Sequence, residues 1–317
     1  MGRFLVSKPV VFLLCGLVLY NLYSHIANNP GRCQRLTCGE SLFTLYNCGL
    51  RNRFESLWSH NNYIVYVLEG RKIWHTAQGD YDLEEGSCVF VRKGASIVEQ
   101  FVDTEFCFFL FFVPDEFICS VLKSKSTPIH SYGKKYDAVI GIDNSASVKA
   151  FFQSMLPYFE DCHQPDQTLL ELKFRELILT VADNHRNGEL LSYFTLLLQE
   201  PQNVSLQRIM EENFCFNLGL EEFAKLSARS LSAFKRDFLR LYHISPGKWL
   251  LEKRLVYAMH LLRNMGKTVA DASFESGFEN PSHFSRAFRS RFDSSPGSIK
   301  HQLSDRSVRY ELIGQLG

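Results

Sequence analysis

Two groups of hydrogen-bonding side chains recur at an interval of fifty residues: Ser232, Lys235 and Arg236, then Ser282, Ser285 and Arg286. Apolar spacing places each group on the outward side of a helix. In the first, Phe234, Phe238 and Leu241 recur at i, i+4 and i+7 and turn inward, leaving Ser232, Lys235, Arg236 and Leu239 outside. In the second, Phe284, Ala287, Phe288 and Phe292 turn inward. An exposed row of hydroxyl, ammonium and guanidinium groups does recognition chemistry. It suits the major groove of a duplex, where Arg and Lys engage guanine edges. Lys248, Lys253, Arg254, Lys267 and Arg289 add cations fit for phosphate contacts, which position without specifying. Covalent chemistry finds no support. There is no glycine-rich phosphate loop and no Ser or Cys nucleophile in a recognisable setting. Nine scattered cysteines with no Cys-x-x-Cys pair argue against a zinc finger and a secreted disulfide framework. Cys88 and Cys107 fall in apolar strand-like runs, as small core residues do.

The elements that must hold these groups repeat as well. Ser245-Pro246-Gly247 and Ser295-Pro296-Gly297 are the same punctuation, each preceded by a similar run, Phe234–Phe238 and Phe284–Phe288. The repeating unit is a helix-turn-helix with its support. In the first copy, Leu220–Leu226 opens with acidic residues, as a helix N-terminus prefers. Ser227-Ala228-Arg229-Ser230 is the turn, and Ser230 caps the helix from Leu231 to Tyr242. In the second, Val269–Ser276 supports, Gly277 stops it, and Phe278 plugs the core. Asn280 caps the next helix, with Pro281 at its first position. Between the copies, Lys248–Asn264 reads as one long helix with Trp249, Leu250, Leu255, Ala258, Leu261 and Leu262 on its apolar side. Such a rod fixes the separation of the two recognition helices. About 34 Å would set both on one side of a duplex, one turn apart.

Residues 220–302 resemble the DNA-binding domain of the AraC/XylS family. The matching runs are VADASFESGF from Val269 to Phe278, NPSHFSRAF from Asn280 to Phe288, and FDSSP from Phe292 to Pro296. The resemblance implies that base contacts come from Ser232, Lys235 and Arg236 and from Ser282, Ser285 and Arg286. It implies a cytoplasmic transcription regulator acting on double-stranded DNA, with RNA polymerase as a further partner. Two places depart from the family pattern: Asp237, where an apolar residue is usual, and His243-Ile244, where Gly and an apolar residue are usual. The runs LSAFKRDF from Leu231 and PGKWL from Pro246 most resemble the branch that activates type III secretion genes.

The rest of the chain differs in charge and in period. The 317 residues of the whole chain suit two domains. From Glu221 to Leu303 there are 14 Lys and Arg against 8 Asp and Glu, leaving 21 against 26 elsewhere, an asymmetry that points to a polyanion partner for the C-terminal part. Residues 40–115 carry short strand-like runs, Tyr63–Leu68, Lys72–Thr76, Cys88–Val91 and Phe106–Val113, set apart by glycine-containing turns. Residues 145–215 turn helical. There Leu170, Phe174, Leu177 and Val181 form an a/d-like seam, read as a dimerisation helix over packing on the barrel. Gln199–Val204 reads as a linker. Pro9–Tyr20 is nearly all apolar behind Arg3 and Lys8, yet short of the roughly 20 residues a membrane helix needs. A misassigned start or an apolar arm fits it better than an anchor.

The family resemblance implies a cupin-like regulatory barrel here. A metal-dependent cupin needs a His-x-His, a carboxylate and a later His. His60-Asn61-Asn62 and the strand after it supply one imidazole and no carboxylate, Phe90–Val98 supplies no His, and His75 is isolated. Neither metal nor cofactor is expected. Trp58, Tyr63, Tyr66, Trp74 and the run Phe101–Phe112 are expected to be mostly core, with a pocket or interface as the other use. The expected fold is therefore α+β in two domains. An apolar segment spans 1–35, a cupin-like β-barrel with helices 36–200, an all-α double helix-turn-helix 201–303, and a tail 304–317. The barrel is expected to sense an effector or regulatory protein and to support a homodimer. The competing readings are a metal-independent cupin enzyme with a DNA-binding appendage and a membrane-tethered regulator.

Overall fold

The computed structural model describes residues 19–29, 34–47, 52–101, 106–130, 132–133, 135–160, 165–199 and 206–299. Most of the apolar stretch Pro9–Tyr20, nearly all of the linker Gln199–Val204 and the tail 304–317 lie outside the described residues. Among the described residues, one compact unit holds everything to Leu206 together with Leu226–Ala228, and a second holds the rest from Gln207 on.

In the first unit β1 (Tyr20–Asn21) and α1 (Leu22–Ala27) precede β2 (Arg35–Cys38), β3 (Ser41–Asn47), β4 (Phe54–Ser59) and β5 (Asn62–Glu69). Then come β6 (Arg71–Thr76), β7 (Gly79–Glu84), β8 (Cys88–Val91), β9 (Gly94–Gln100) and β10 (Cys107–Val113). After α2 (Asp115–Lys123), β11 (Val139–Gly141) adds a last edge. The strands form two sheets, ordered β1-β4-β9-β6-β7 and β11-β8-β5-β10-β3-β2. Leu57, Trp74, Leu83 and Val98 of the first sheet share a core with Leu42, Tyr63, Val65 and Phe112 of the second. Inside it the Trp74 Nε1–H donates to the Tyr63 hydroxyl at 3.2 Å, which satisfies both buried polar atoms.

The central strand β10 is apolar at every position because both of its faces are covered. Phe108, Leu110 and Phe112 point into the shared core. Phe109 and Phe111 point the other way, toward α3 (Ala146–Met155), the short α4 (Pro157–Glu160) and α5 (Gln167–Asp183). Phe111 meets Phe174 at 4.7 Å between ring centroids, and Phe109 meets Phe152 at 5.6 Å. Leu170, Phe174, Leu177 and Val181 of α5 are wholly buried within this single chain. They do not form a dimerisation seam. The outer face of the second sheet is itself aromatic and requires a cover, and α5 supplies it. The large apolar side chains that α5 leaves exposed are Leu169 and Leu172.

A second departure lies at the start. Residues 20–27, expected within the apolar segment 1–35, belong to the barrel. β1 pairs in parallel with β4, the Asn21 side chain caps α1 by accepting from the Ser24 amide at 2.7 Å, and Leu22 and Ile26 enter the core. A buried polar cluster then fastens α2 and α6 (Gly188–Gln199) to the sheet. The Asn62 amide donates to Asp115 at 2.6 Å, the Lys93 ammonium pairs with Asp115 at 2.7 Å, and the Tyr193 hydroxyl donates to Asn62 at 3.2 Å. Such a charge pair is tolerated in the interior because both carboxylate oxygens of Asp115 are engaged, one by Lys93 and the other by Asn62.

The second unit is helical: α7 (Leu206–Asn213), α8 (Leu220–Leu226), α9 (Leu231–Tyr242), α10 (Pro246–Asn264), α11 (Val269–Glu275) and α12 (Pro281–Phe292). Leu255, Ala258, Leu261 and Leu262 of α10 bind Ala272, Phe278, Phe284, Phe288 and Ile299 into one core. At the other end of α10, Trp249 packs on Phe238 at 5.8 Å. Leu241, expected inward on α9, is exposed. Tyr242 takes its place, four residues after Phe238 and stacked on it at 4.4 Å.

Candidate nucleic-acid interface

Each recognition helix is set by its own turn. Behind α9, the turn bends at Ala228, whose φ of 53° lies in the left-handed region, and the Arg229 amide donates to the Ala224 carbonyl at 2.9 Å. Ser230 then caps α9 by accepting from the Ala233 amide at 3.2 Å. Behind α12, Thr268 and Asp271 close a capping box on α11. Gly277 follows at φ 86°, where a Cβ would lie 2.9 Å from the Cys215 carbonyl oxygen and 2.9 Å from the Arg254 Nε. Glycine is thus required by backbone conformation and by space. Asn280 caps α12 through the Ser282 and His283 amides, with Pro281 at its first position. Both helices have 12 residues and end on a left-handed residue, His243 at φ 57° and Asp293 at φ 52°. At His243 this is the conformation that favours glycine, the residue usual there in the resembling family.

The outward faces carry the expected groups. Ser232, Lys235 and Arg236 are exposed on α9; Ser282 and Arg286 are exposed on α12, and Ser285 is half-buried. The 19 residues of α10 span about 28 Å and join the two helix-turn-helix copies. Sequence reasoning passed over Arg240, which stands one turn beyond Arg236 and is just as exposed. Its i+4 spacing from Arg236 was the available signal.

The five expected phosphate contacts divide. Lys248 and Arg289 are exposed, with no ion pair among the described residues. Lys253 pairs with Glu211 at 2.7 Å, its ammonium 5.2 Å from the Trp249 ring centre. Lys267 pairs with Glu275 at 2.7 Å. Arg254 is a correction. Its guanidinium turns inward and donates to the carbonyls of Phe214 at 2.8 Å and Phe216 at 2.7 Å, and burial lowers its pKa to about 10. The loop after α7 leaves carbonyls without helical partners, and a planar fork of donors answers them.

In the first unit the histidines of interest are taken up by neighbours. His60 meets the Asn21 amide at 3.1 Å, and His75 lies between Asp80 at 2.8 Å and Glu99 at 3.3 Å. Among the described residues no group of His, Cys, Asp or Glu could hold a metal ion, and no helix is long and apolar enough to cross a membrane.

Two family models match the chain: an ExsA N-terminal regulatory domain over residues 62–193 and a helix-turn-helix domain over 223–302. The thermoregulatory protein LcrF of Yersinia pestis is 30% identical over 248 residues, covering 75% of this chain and 88% of LcrF. This chain belongs to the AraC family of transcription regulators. The virulence regulon transcriptional activator VirF of Yersinia enterocolitica matches this AraC-family chain to the same extent. The transcriptional regulator ExsA of Pseudomonas aeruginosa is 31% identical over 134 residues, 42% of this chain and 48% of ExsA. Among solved structures, ToxT of Vibrio cholerae covers 82% of this chain and 98% of its own at 12% identity, with a TM-score of 0.35. The AraC-family chain is accordingly a DNA-binding transcription regulator with a regulatory domain ahead of its helix-turn-helix domain.

Proposed function

We propose that this regulator activates transcription by laying α9 and α12 into two successive major-groove segments on one side of the duplex. Ser232, Lys235 and Arg236 contact one set of base edges, and Ser282, Ser285 and Arg286 the next. Lys248 and Arg289 hold flanking phosphates. The observation that carries this reading is the pair of 12-residue helices with matching caps, matching left-handed ends and outward basic groups, joined by one helix. RNA polymerase is the partner on DNA, the site of action is the cytoplasm, and no catalysis is involved. The first unit senses an effector or regulatory protein and supports self-association through a surface other than the buried residues of α5.

Selection of bound sequences from random duplex DNA tests the reading. Arg236→Ala and Arg286→Ala should each lose about 1–3 kcal/mol on the selected site and relax a few base pairs. The two relaxed sets should lie about ten base pairs apart. Equal losses on selected and random DNA would remove these side chains from base readout.

A further inference from the structure

The two helix-turn-helix copies superpose in sequence at an interval of fifty, which places Asp237 opposite Ala287. Asp237 stands in a row of arginines. Its Oδ1 faces the Arg236 Nε at 3.3 Å and an Arg240 Nη2 at 3.8 Å, and its Oδ2 accepts from the Arg229 Nε at 3.3 Å. Arg236 and Arg240 remain open to solvent, 76% and 78% exposed, while Asp237 between them is only 18% exposed. In the second copy the positions of Arg229, Asp237 and Arg240 hold Glu279, Ala287 and Ser290, and among the four only the arginine pair Arg236 and Arg286 is common. Where the carboxylate is absent, two of its three partners are absent too. The carboxylate and two of its partners thus occur together in the first copy and are absent together from the second.

Ion pairs this exposed add little to folding stability. A carboxylate on a face meant for a polyanion also weakens the overall attraction. What it supplies is orientation: an arginine reads a base edge through a planar fork whose direction matters, and a neighbouring carboxylate fixes that direction. We infer that Asp237 is a positioning residue that sets the base preference of the first helix-turn-helix unit by orienting Arg236 and Arg240, and that Arg240 is a further DNA-contacting residue. The second unit reads with Arg286, which no carboxylate pairs among the described residues. Partial burial works against ionisation of Asp237, yet the hydrogen bonds from Arg236 and Arg229 and the nearby charges hold its carboxyl below the usual range. It is therefore anionic at neutral pH.

The inference rests on α9 facing the duplex, and its test separates the two. Full-length wild type, Asp237→Asn, Arg240→Ala and Arg229→Ala are each put through sequence selection on random DNA, with thermal melts alongside. Asp237→Asn should lower the ratio of selected-site to random-DNA affinity about tenfold, with random-DNA affinity unchanged or raised. The positions it relaxes should be those relaxed by Arg236→Ala, and Arg240→Ala should relax an overlapping set. Arg229→Ala, which removes the contact between turn and helix but keeps the outward arginines, should leave the preference as in wild type. If Asp237→Asn selects the wild-type sequence with the wild-type ratio, the inference fails. If Arg229→Ala relaxes the same positions as Asp237→Asn, the aspartate only staples the turn and the inference fails again. If Arg236→Ala also selects the wild-type sequence with the wild-type ratio, the placement of α9 on DNA fails, and that outcome is told apart by Arg236→Ala alone.

Discussion

At the scale of single residues, cation type does not decide use. Arg254 and Arg263 lie on one helix, yet one turns inward while the other stays in solvent. Removing the Arg254 fork would strand carbonyls at Phe214 and Phe216. Arg254→Ala is expected to cost about 1–3 kcal/mol in denaturant unfolding for each buried carbonyl left without its donor. Arg254→Lys should recover only part of this, since one ammonium cannot answer two carbonyls in the guanidinium's fixed geometry. Gly277→Ala belongs to the same corner. It forces a side chain onto a φ of 86° and against the Cys215 carbonyl, and should cost more than about 1 kcal/mol. If Arg254→Ala unfolded like wild type but bound DNA with a flattened salt dependence, the phosphate role first read from the sequence would be restored.

At the scale of elements, legibility followed the number of faces each element buries. The helix-turn-helix helices have one apolar face, so their spacing named the outward groups. Their caps and stops, Ser230, Gly277, Asn280 and Pro281, were readable because each answers a local backbone need. Strand β10 was readable as a strand, but not which phenylalanine faces which layer. The α5 seam misled for a related reason: a helix covering an aromatic sheet and a helix pairing with its twin carry the same inward spacing, and only the sheet's outer phenylalanines, Phe43 and Phe111, decide between them. The β1–α1 start was hidden because a two-residue strand and a six-residue helix give no period to read. The same logic assigns a cost. Leu177→Ala should destabilise the chain by about 2–5 kcal/mol, as cavity formation in a packed core does. Its association state in sedimentation should match wild type at concentrations where it is folded. A variant that stays fully stable yet dissociates would return Leu177 to an interface.

At the scale of the whole molecule, the excess of basic residues from Glu221 to Leu303 overstates what is available to DNA. Counterions leave the duplex in proportion to the phosphates that protein cations newly neutralise, so the salt dependence counts cations free to do it. Lys253 and Lys267 already face Glu211 and Glu275, and Arg291 faces Glu252 at 2.7 Å. Moving a paired cation toward a phosphate would expose its former carboxylate to the same polyanion, so the net neutralisation is small. Lys248 and Arg289 are exposed and form no such close ion pair among the described residues, although the Lys248 charge helps to lower the Glu252 carboxyl. Lys248→Ala and Arg289→Ala should therefore each flatten the slope of log affinity against log salt by about one unit. They should weaken binding to selected and random DNA alike, because phosphate contacts carry no sequence information. Lys253→Ala and Lys267→Ala should leave the slope near the wild-type value, although Lys267→Ala also leaves the half-buried Glu275 without its cation and lowers the melting temperature. Measured across a range of salt on one random duplex, the four variants separate into two pairs. A slope that flattens equally for all four would mean that the ion pairs open on binding, and that gross charge rather than free charge sets affinity.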